Sequence, residues 1–159
     1  MARVLLPIQE AIRDLVGDLL GKPVGVDKSP TPLAEQDVAA VVAYRDDEGT
    51  LMAVFTADRD LVAILGGTLV MMPPPAVAEL LKADEVPENI YENFYEVTNI
   101  MTSLINRPNY PHLRQVERLA DPGGATGDVR ATLDEPAKRR SFTVAVVGYG
   151  SGRITMMAT

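Results

Sequence analysis

Residues 92–103 carry side chains whose types and spacing could do chemistry. A helix turns by roughly 100° per residue, so in a helix four polar side chains of this segment would lie within about 60° of one another, on one face. They are Glu92, Glu96, Asn99 and Ser103. The opposite face of the helix would then carry Phe94, Val97, Met101 and Leu104. A carboxylate beside a carboxamide can pair with a partner's cation and orient a water molecule, although an ordinary surface helix can show the same pattern.

The composition excludes several other kinds of chemistry. The chain has no cysteine and a single histidine, His112, so disulfides, thiol nucleophiles, thiolate metal sites and histidine clusters are excluded. We therefore expect no metal or cofactor to be bound by this chain. The formal net charge of -7 opposes binding to nucleic acid or anionic lipid.

The length and hydropathy predict one domain over residues 1–159. At 47% hydrophobic residues, 159 residues are enough for a core without disulfides or metals. The apolar run before Pro7 is too short for a signal peptide, and no apolar stretch is long enough to span a membrane. A cytoplasmic location is the expectation.

The first half of the sequence predicts helices around one hairpin. Apolar spacing predicts a helix within residues 4–20, and the prolines in residues 24–37 predict irregular structure. A hairpin joins 38–44 to 50–56 through Asp46-Asp47-Glu48-Gly49. Short helices are predicted from Asp58 to Gly66-Gly67 and from Pro73 to about Leu81.

The second half predicts one long helix followed by strands. The helix begins after Pro87 and runs to about Asn106, before Arg107-Pro108. Strands are predicted over 113–119, 129–133, 142–147 and 153–157, with residues 148–152 turning the last pair into a hairpin. The order of elements predicts an α+β domain, with helices packed on one face of an antiparallel sheet.

Glu96-x-x-Asn99, preceded by the predicted hairpin and the short helix from Asp58, resembles the CheC/CheX/FliY family of chemotaxis phosphatases. In that family a helix carries a Glu-x-x-Asn core, usually with Asp or Ser four residues before the Glu and Gly four residues after the Asn. Here Glu92 and Ser103 occupy those two flanking positions. The length and element order of the whole chain are similar to those of CheX-like members.

The resemblance implies hydrolysis of the aspartyl phosphate on a CheY-type response regulator. Asn99 would orient the attacking water in line with the phosphorus, and Glu96 would pair with the regulator's lysine. An amide suits this role because it donates and accepts hydrogen bonds at once, and such phosphoryl transfer depends on positioning more than on a strong base. Glu92, Tyr95 and Ser103 would contact the partner. The regulator would hold Mg²⁺, and CheX-like members pair as homodimers through sheet edges.

Two alternatives stay open. The departures at Glu92 and Ser103 motivate a non-catalytic signalling or ligand-binding module that docks a partner through the helix edge. That edge would be formed by Tyr91, Glu92, Tyr95 and Glu96. The third hypothesis is a purely structural dimer that pairs through a hydrophobic edge strand near Val144.

Three remaining features receive ordinary structural interpretations. Lys138-Arg139-Arg140 is the one basic cluster, interpreted as a solvated strand start or as protection of a sheet edge. The glycine-rich segment 121–128 lacks the Lys-Ser/Thr end of a phosphate loop and a predicted helix after it, so it is interpreted as an exposed connection between strands. His112 has no partner nearby in the sequence and is interpreted as a surface or strand-entry residue.

Overall fold

A six-stranded antiparallel sheet runs through the centre of the computed structural model, which describes residues 4–159. In chain order the strands are β1 (Val24–Lys28), β2 (Val38–Asp46), β3 (Leu51–Asp58), β4 (Leu113–Leu119), β5 (Lys138–Val146) and β6 (Gly150–Ala158). In space the order is β1-β5-β6-β3-β2-β4, and all neighbouring strands are antiparallel. The predicted α+β class is confirmed.

The helices cover both faces of the sheet unequally. They are α1 (Gln9–Leu20), α2 (Arg59–Leu69), α3 (Pro74–Lys82), α4 (Glu88–Ile100) and α5 (Gly127–Asp134). The first four share one hydrophobic core with alternate residues of the strands, as predicted, whereas α5 packs on the opposite face. Among residues 4–159, each helix is too short or too polar to cross a membrane.

Both predicted hairpins are confirmed. β2 pairs with β3 across a turn in which the Asp46 carboxylate accepts hydrogen bonds from the main-chain N–H groups of Glu48 and Thr50, each at 2.9 Å. β5 pairs with β6 across a turn whose Gly148 and Gly150 have φ angles of 87° and 126°. Glycine suits both positions because an L side chain is strained at positive φ.

Strand β1 lies in the segment predicted to be irregular, so that prediction is wrong there. It pairs with β5 in the register Val24 with Val146, and its Val26 is buried. As a result β5 is paired on both sides, and the predicted edge strand near Val144 is an interior strand. The free edges of the sheet belong to β1 and β4.

The alternation of apolar and polar residues over 129–133 predicts a strand, and this prediction is wrong. These residues belong to helix α5. It begins at Gly127, inside the glycine-rich segment 121–128, so that segment leads from β4 into a helix and does not connect two strands directly. The helix buries Val129 and Thr132, three residues apart, against the second face of the sheet. Arg45 on β2 links the start of the helix to the sheet. Its guanidinium donates hydrogen bonds to the Asp128 carboxylate at 2.8 Å and to the Glu117 carboxylate on β4, also at 2.8 Å. The sheet face under α5 is apolar and needs cover, which favours a helix there.

Helix α2 is the central helix of the larger core. Asp58 caps its start by accepting a hydrogen bond from the Leu61 N–H at 2.9 Å, and residues 61–68 are all buried. The helix passes through Gly66-Gly67, where the sequence predicted its end. Gly152 on β6 lets the strand approach it closely, since a Cβ there would lie 2.4 Å from the Leu61 nitrogen.

Candidate functional site

The polar stripe predicted on the long helix is exposed. Glu92, Glu96, Asn99 and Ser103 all face solvent. The apolar positions predicted opposite them face the core: Phe94, Val97 and Met101 are buried, and Leu104 packs partly buried against the same cluster. The carboxylate of Glu96 and the amide of Asn99 are one helical turn apart on this face, because residues three apart in a helix are neighbours.

The long helix ends earlier than the sequence predicted. Regular α-helix stops at Ile100 and continues as a 3₁₀ turn over Met101–Leu104. Asn99 therefore lies in the last turn of α4, whereas Ser103 lies beyond it in the tighter turn. A 3₁₀ turn advances about 120° per residue, so Ser103 is exposed without keeping the strict helical spacing that the sequence suggested.

Hydrogen bonds from the sheet fix the C-terminal half of α4. The hydroxyl of the buried Tyr44 on β2 donates to the main-chain oxygen of Thr98 at 2.7 Å. Gln115 on β4 donates to the main-chain oxygen of Tyr95 at 3.2 Å and accepts from the Thr98 hydroxyl at 2.7 Å. Burial raises the pKa of Tyr44 above its ordinary value, so the phenol stays protonated as a donor.

Close packing against α2 fixes the N-terminal half of α4. A Cβ on Gly66 would lie 2.4 Å from the main-chain oxygen of Ile90 and 2.7 Å from its Cγ2 atom. The side chain of Asn93 donates to the Gly66 oxygen at 3.1 Å, and the Tyr91 hydroxyl donates to the Ala39 oxygen at 3.1 Å. The two helices approach this closely only because residue 66 has no side chain.

Aromatic side chains border the stripe on its flank. Tyr95 is half-buried and contacts Tyr91 and Phe94 with ring centroids 6.0 Å away in both cases. The guanidinium of Arg118 lies over the Tyr95 ring, 5.9 Å from its centroid. Burial raises the pKa of Tyr95 to about 12, so this residue offers a neutral hydroxyl and an apolar ring to a partner.

The stripe is acidic and has no internal counterion. Within residues 4–159, no lysine or arginine nitrogen lies within 4.0 Å of the carboxylates of Glu88, Glu92 or Glu96. These carboxylates stand four residues apart on the exposed face of α4. They are free to pair with cations on another protein, and such pairing would weaken at high ionic strength.

The stripe presents two carboxylates, one amide and one hydroxyl to solvent. In the part of the chain that the structure describes, no group of three or more His, Cys, Asp or Glu side chains is placed to hold a metal ion. His112 is exposed before β4 and its Nδ1 lies 3.7 Å from Asp47. It is not on the stripe.

Sequence reasoning missed the residues that hold α4 in place. Tyr44 ends the predicted strand 38–44, and the signal for its role is that a tyrosine in a buried strand needs a partner for its hydroxyl. Gln115 lies at a position of β4 whose side chain is less exposed than those of its neighbours Arg114 and Val116. A polar residue at such a position is a weak signal for a buried polar contact. The sequence predicts a helix end at Gly66-Gly67, whereas Gly66 is a contact point of α2 with α4. The signal for its role is that two adjacent glycines sit within a continuous apolar pattern.

Replacing Tyr44 by phenylalanine tests how much this support contributes. We expect the free energy of unfolding to fall by about 1–2 kcal/mol, because the buried oxygen of Thr98 loses its donor. Urea unfolding followed by circular dichroism measures the change. The control is Tyr110→Phe, since Tyr110 is exposed. An equal loss in both variants would contradict the role assigned to the Tyr44 hydroxyl.

Solved structures share this fold at low sequence identity. No protein-family model matches the sequence, and no curated protein matches it closely. A chain in the crystal structure of the CheX–CheY–BeF3–Mg²⁺ complex from Borrelia burgdorferi is 8% identical and aligns with a TM-score of 0.51. That alignment covers 94% of this chain and 93% of the other.

FliM middle domains share the fold as well. In the FliG–FliM complex from H. pylori the identity is 6% and the TM-score 0.52, over 94% of this chain and 85% of that one. The FliM middle domain from H. pylori alone is 7% identical, with a TM-score of 0.51, over 94% and 84% of the two chains. The chain therefore has the CheC/CheX/FliY-type fold that its sequence resembles.

Proposed function

We propose that this protein is a CheX-like phosphatase that hydrolyses the aspartyl phosphate of a CheY-type response regulator. The observation that carries the proposal is the placement of Glu96 and Asn99, which are exposed together on a helix held rigidly by the core. The shared fold with a chain of a CheX–CheY complex supports this choice of partner.

The proposed mechanism divides the work between two side chains. The Glu96 carboxylate pairs with a lysine on the regulator and sets the docking position, because it is exposed and unpaired within the described residues. Docking then brings the Asn99 amide to the phosphoryl group, where it orients a water molecule in line with the bond to be broken. Glu92, Tyr95 and Ser103 contact the regulator around this pair.

In the chemical step the water oxygen bonds to phosphorus as the phosphorus–oxygen bond to the aspartate breaks. The products are inorganic phosphate and a free aspartate carboxylate on the regulator. Mg²⁺ held by the regulator would neutralise the developing charge on the phosphoryl oxygens. The amide of Asn99 binds and orients the water and takes no proton itself, which is consistent with a site without histidine or cysteine.

Phosphate release from a panel of receiver domains tests the proposal. Each domain of the host is phosphorylated with a small phosphodonor, freed from the excess donor, and incubated with and without the protein. We expect the phosphoryl lifetime of at least one receiver domain to shorten. Unchanged lifetimes across the whole panel would overturn the proposal.

A non-catalytic binding module is the second candidate, and a specific observation favours it. FliM middle domains, one of them in a complex with FliG, share the fold to the same degree. Glu92 and Ser103 also replace the residue types that usually flank the Glu-x-x-Asn core. A module of this kind would bind a receiver domain or another signalling protein through the same stripe without shortening any phosphoryl lifetime.

We propose in addition that two copies pair through a sheet edge. The free edges are those of β1 and β4, and β4 exposes Val116 at a register shift with β2. An unpaired edge strand is a template for pairing with a second copy. Sedimentation at micromolar concentration tests this, and a monomer would contradict it.

A further inference from the structure

Five basic side chains line a continuous groove away from the polar stripe. Two adjoining cavities, of about 400 and about 500 Å³, share Ile8, Arg139 and Arg140. They lie between the segment before α1, the end of β1 and the start of β5. We call them together the basic groove, whose cations are Lys28, Arg107, Lys138, Arg139 and Arg140. One carboxylate, that of Glu10, also lines it, so the five cations outnumber the acidic side chains of the lining.

The cations of the basic groove lack acidic partners. Among residues 4–159, none of them has a carboxylate oxygen within 4.0 Å. Arg140 instead donates to the main-chain oxygens of Leu6 and Pro7, at 3.0 and 3.2 Å. A third of the chain's 15 basic residues thus meet at one groove of a protein with a net charge of -7. Such a concentration attracts anionic partners and steers their approach.

The floor of the groove is a strand edge that no other strand of residues 4–159 pairs with. β1 ends at Lys28 opposite Phe142, and the last contact is the hydrogen bond from the Ser29 N–H to the Ser141 oxygen at 2.8 Å. β5 begins at Lys138, so it extends further along this side than its neighbour does. Main-chain groups alternate sides along a strand. The N–H and C=O of Arg139 therefore face the side where β1 has ended.

The rim of the groove also exposes apolar surface. Ile8 is 54% exposed and Leu5 is 39% exposed, and both line the cavities beside the cations. The groove therefore presents main-chain hydrogen-bonding groups, positive charge and apolar side chains in one place. An extended segment that adds to a sheet edge gains affinity from the main-chain groups and specificity from the side-chain contacts, and the cations of this groove favour a segment with acidic side chains.

We propose that the basic groove binds an extended acidic segment of a partner protein, which adds as a short strand beside the first residues of β5. Its main chain pairs with Arg139, and its carboxylates meet Lys28, Lys138 and Arg140. An apolar side chain of the segment rests on Ile8. This site is separate from α4, and the proposal does not depend on the phosphatase activity.

Titration with designed peptides, followed by NMR of the labelled protein, tests the proposal. The probe is a short peptide in which glutamate alternates with valine and serine, and its control has lysine in place of glutamate. We expect saturable shifts for the probe at residues of the groove and none for the control. The variant Lys138→Glu, Arg139→Glu should weaken binding by at least about tenfold.

A matched charge change elsewhere provides the second control. The variant Lys82→Glu, Arg114→Glu reverses two exposed cations outside the groove and should bind the probe with nearly unchanged affinity. Failure of the probe to saturate, shifts at other surfaces, or equal losses in the two variants would overturn the proposal. So would a groove that binds inorganic pyrophosphate but not the probe, since that result would identify a site for small anions.

Discussion

Replacing Asn99 by alanine is expected to lower the rate of phosphate release from the regulator by at least about 100-fold, the usual cost of removing one positioned polar group at a reacting centre. The amide is exposed and no hydrogen bond ties it to the rest of the described chain, so its removal leaves the core intact. We expect the far-UV spectrum and the urea midpoint to stay unchanged. The measurement is the initial rate of phosphate release with each variant.

The matched control for this variant is Asn89→Ala. Asn89 is an exposed asparagine on the same helix, ten residues before Asn99, which places it roughly 15 Å away along the helix axis. Its loss should leave phosphate release unchanged. Equal, accelerated rates for the wild type and Asn99→Ala would show that the amide does not position the water.

Replacing Gly66 by alanine is expected to lower the free energy of unfolding by about 2–3 kcal/mol, the cost of overpacking a well-packed core. The new Cβ would lie 2.4 Å from the main-chain oxygen of Ile90, which cannot rotate away. Alanine favours the helix over glycine by about 1 kcal/mol, but the clash outweighs this gain. α4 must then shift away from α2, so phosphate release should fall too.

Gly17→Ala gives the opposite expectation and serves as the control. Gly17 lies in α1, where a new Cβ would meet only the oxygen of Lys22, at an ordinary contact distance of 3.5 Å. Helix propensity alone then predicts a gain of about 0.5–1 kcal/mol. Urea unfolding measures both variants. Equal stabilities would contradict the close approach of α2 and α4.

Local signals were sufficient for the hairpins and for the exposed stripe. The β2–β3 turn is encoded by Asp46 to Gly49 and the β5–β6 turn by its glycines, so each pairing is fixed by a few neighbouring residues. The stripe follows from the helical period of residues 92–101. Its exposure could be predicted because the apolar side chains of the same segment occupy the other face.

The missed elements depend on distant residues. β1 is a five-residue strand between prolines, and its partner β5 lies more than 100 positions later, so nothing near it in the sequence marks the pairing. In residues 129–133 apolar and polar types alternate, which fits a short strand as well as a helical turn. The uncovered apolar face of β2 and β3 decides between them. The hydrogen bonds from Tyr44 and Gln115 to α4 likewise join residues that are distant in the sequence, so local patterns do not predict them.

The hydrogen bonds from Tyr44 and Gln115 that hold the C-terminal half of α4 are accepted by the main-chain oxygens of Thr98 and Tyr95. Every amino acid carries such an oxygen, so the outward side chains of the helix are free to vary without loosening its position. Natural variation can therefore redirect recognition one residue at a time while the backbone geometry is inherited unchanged. A scaffold built in this way keeps the helix in place whatever side chains its outer face carries.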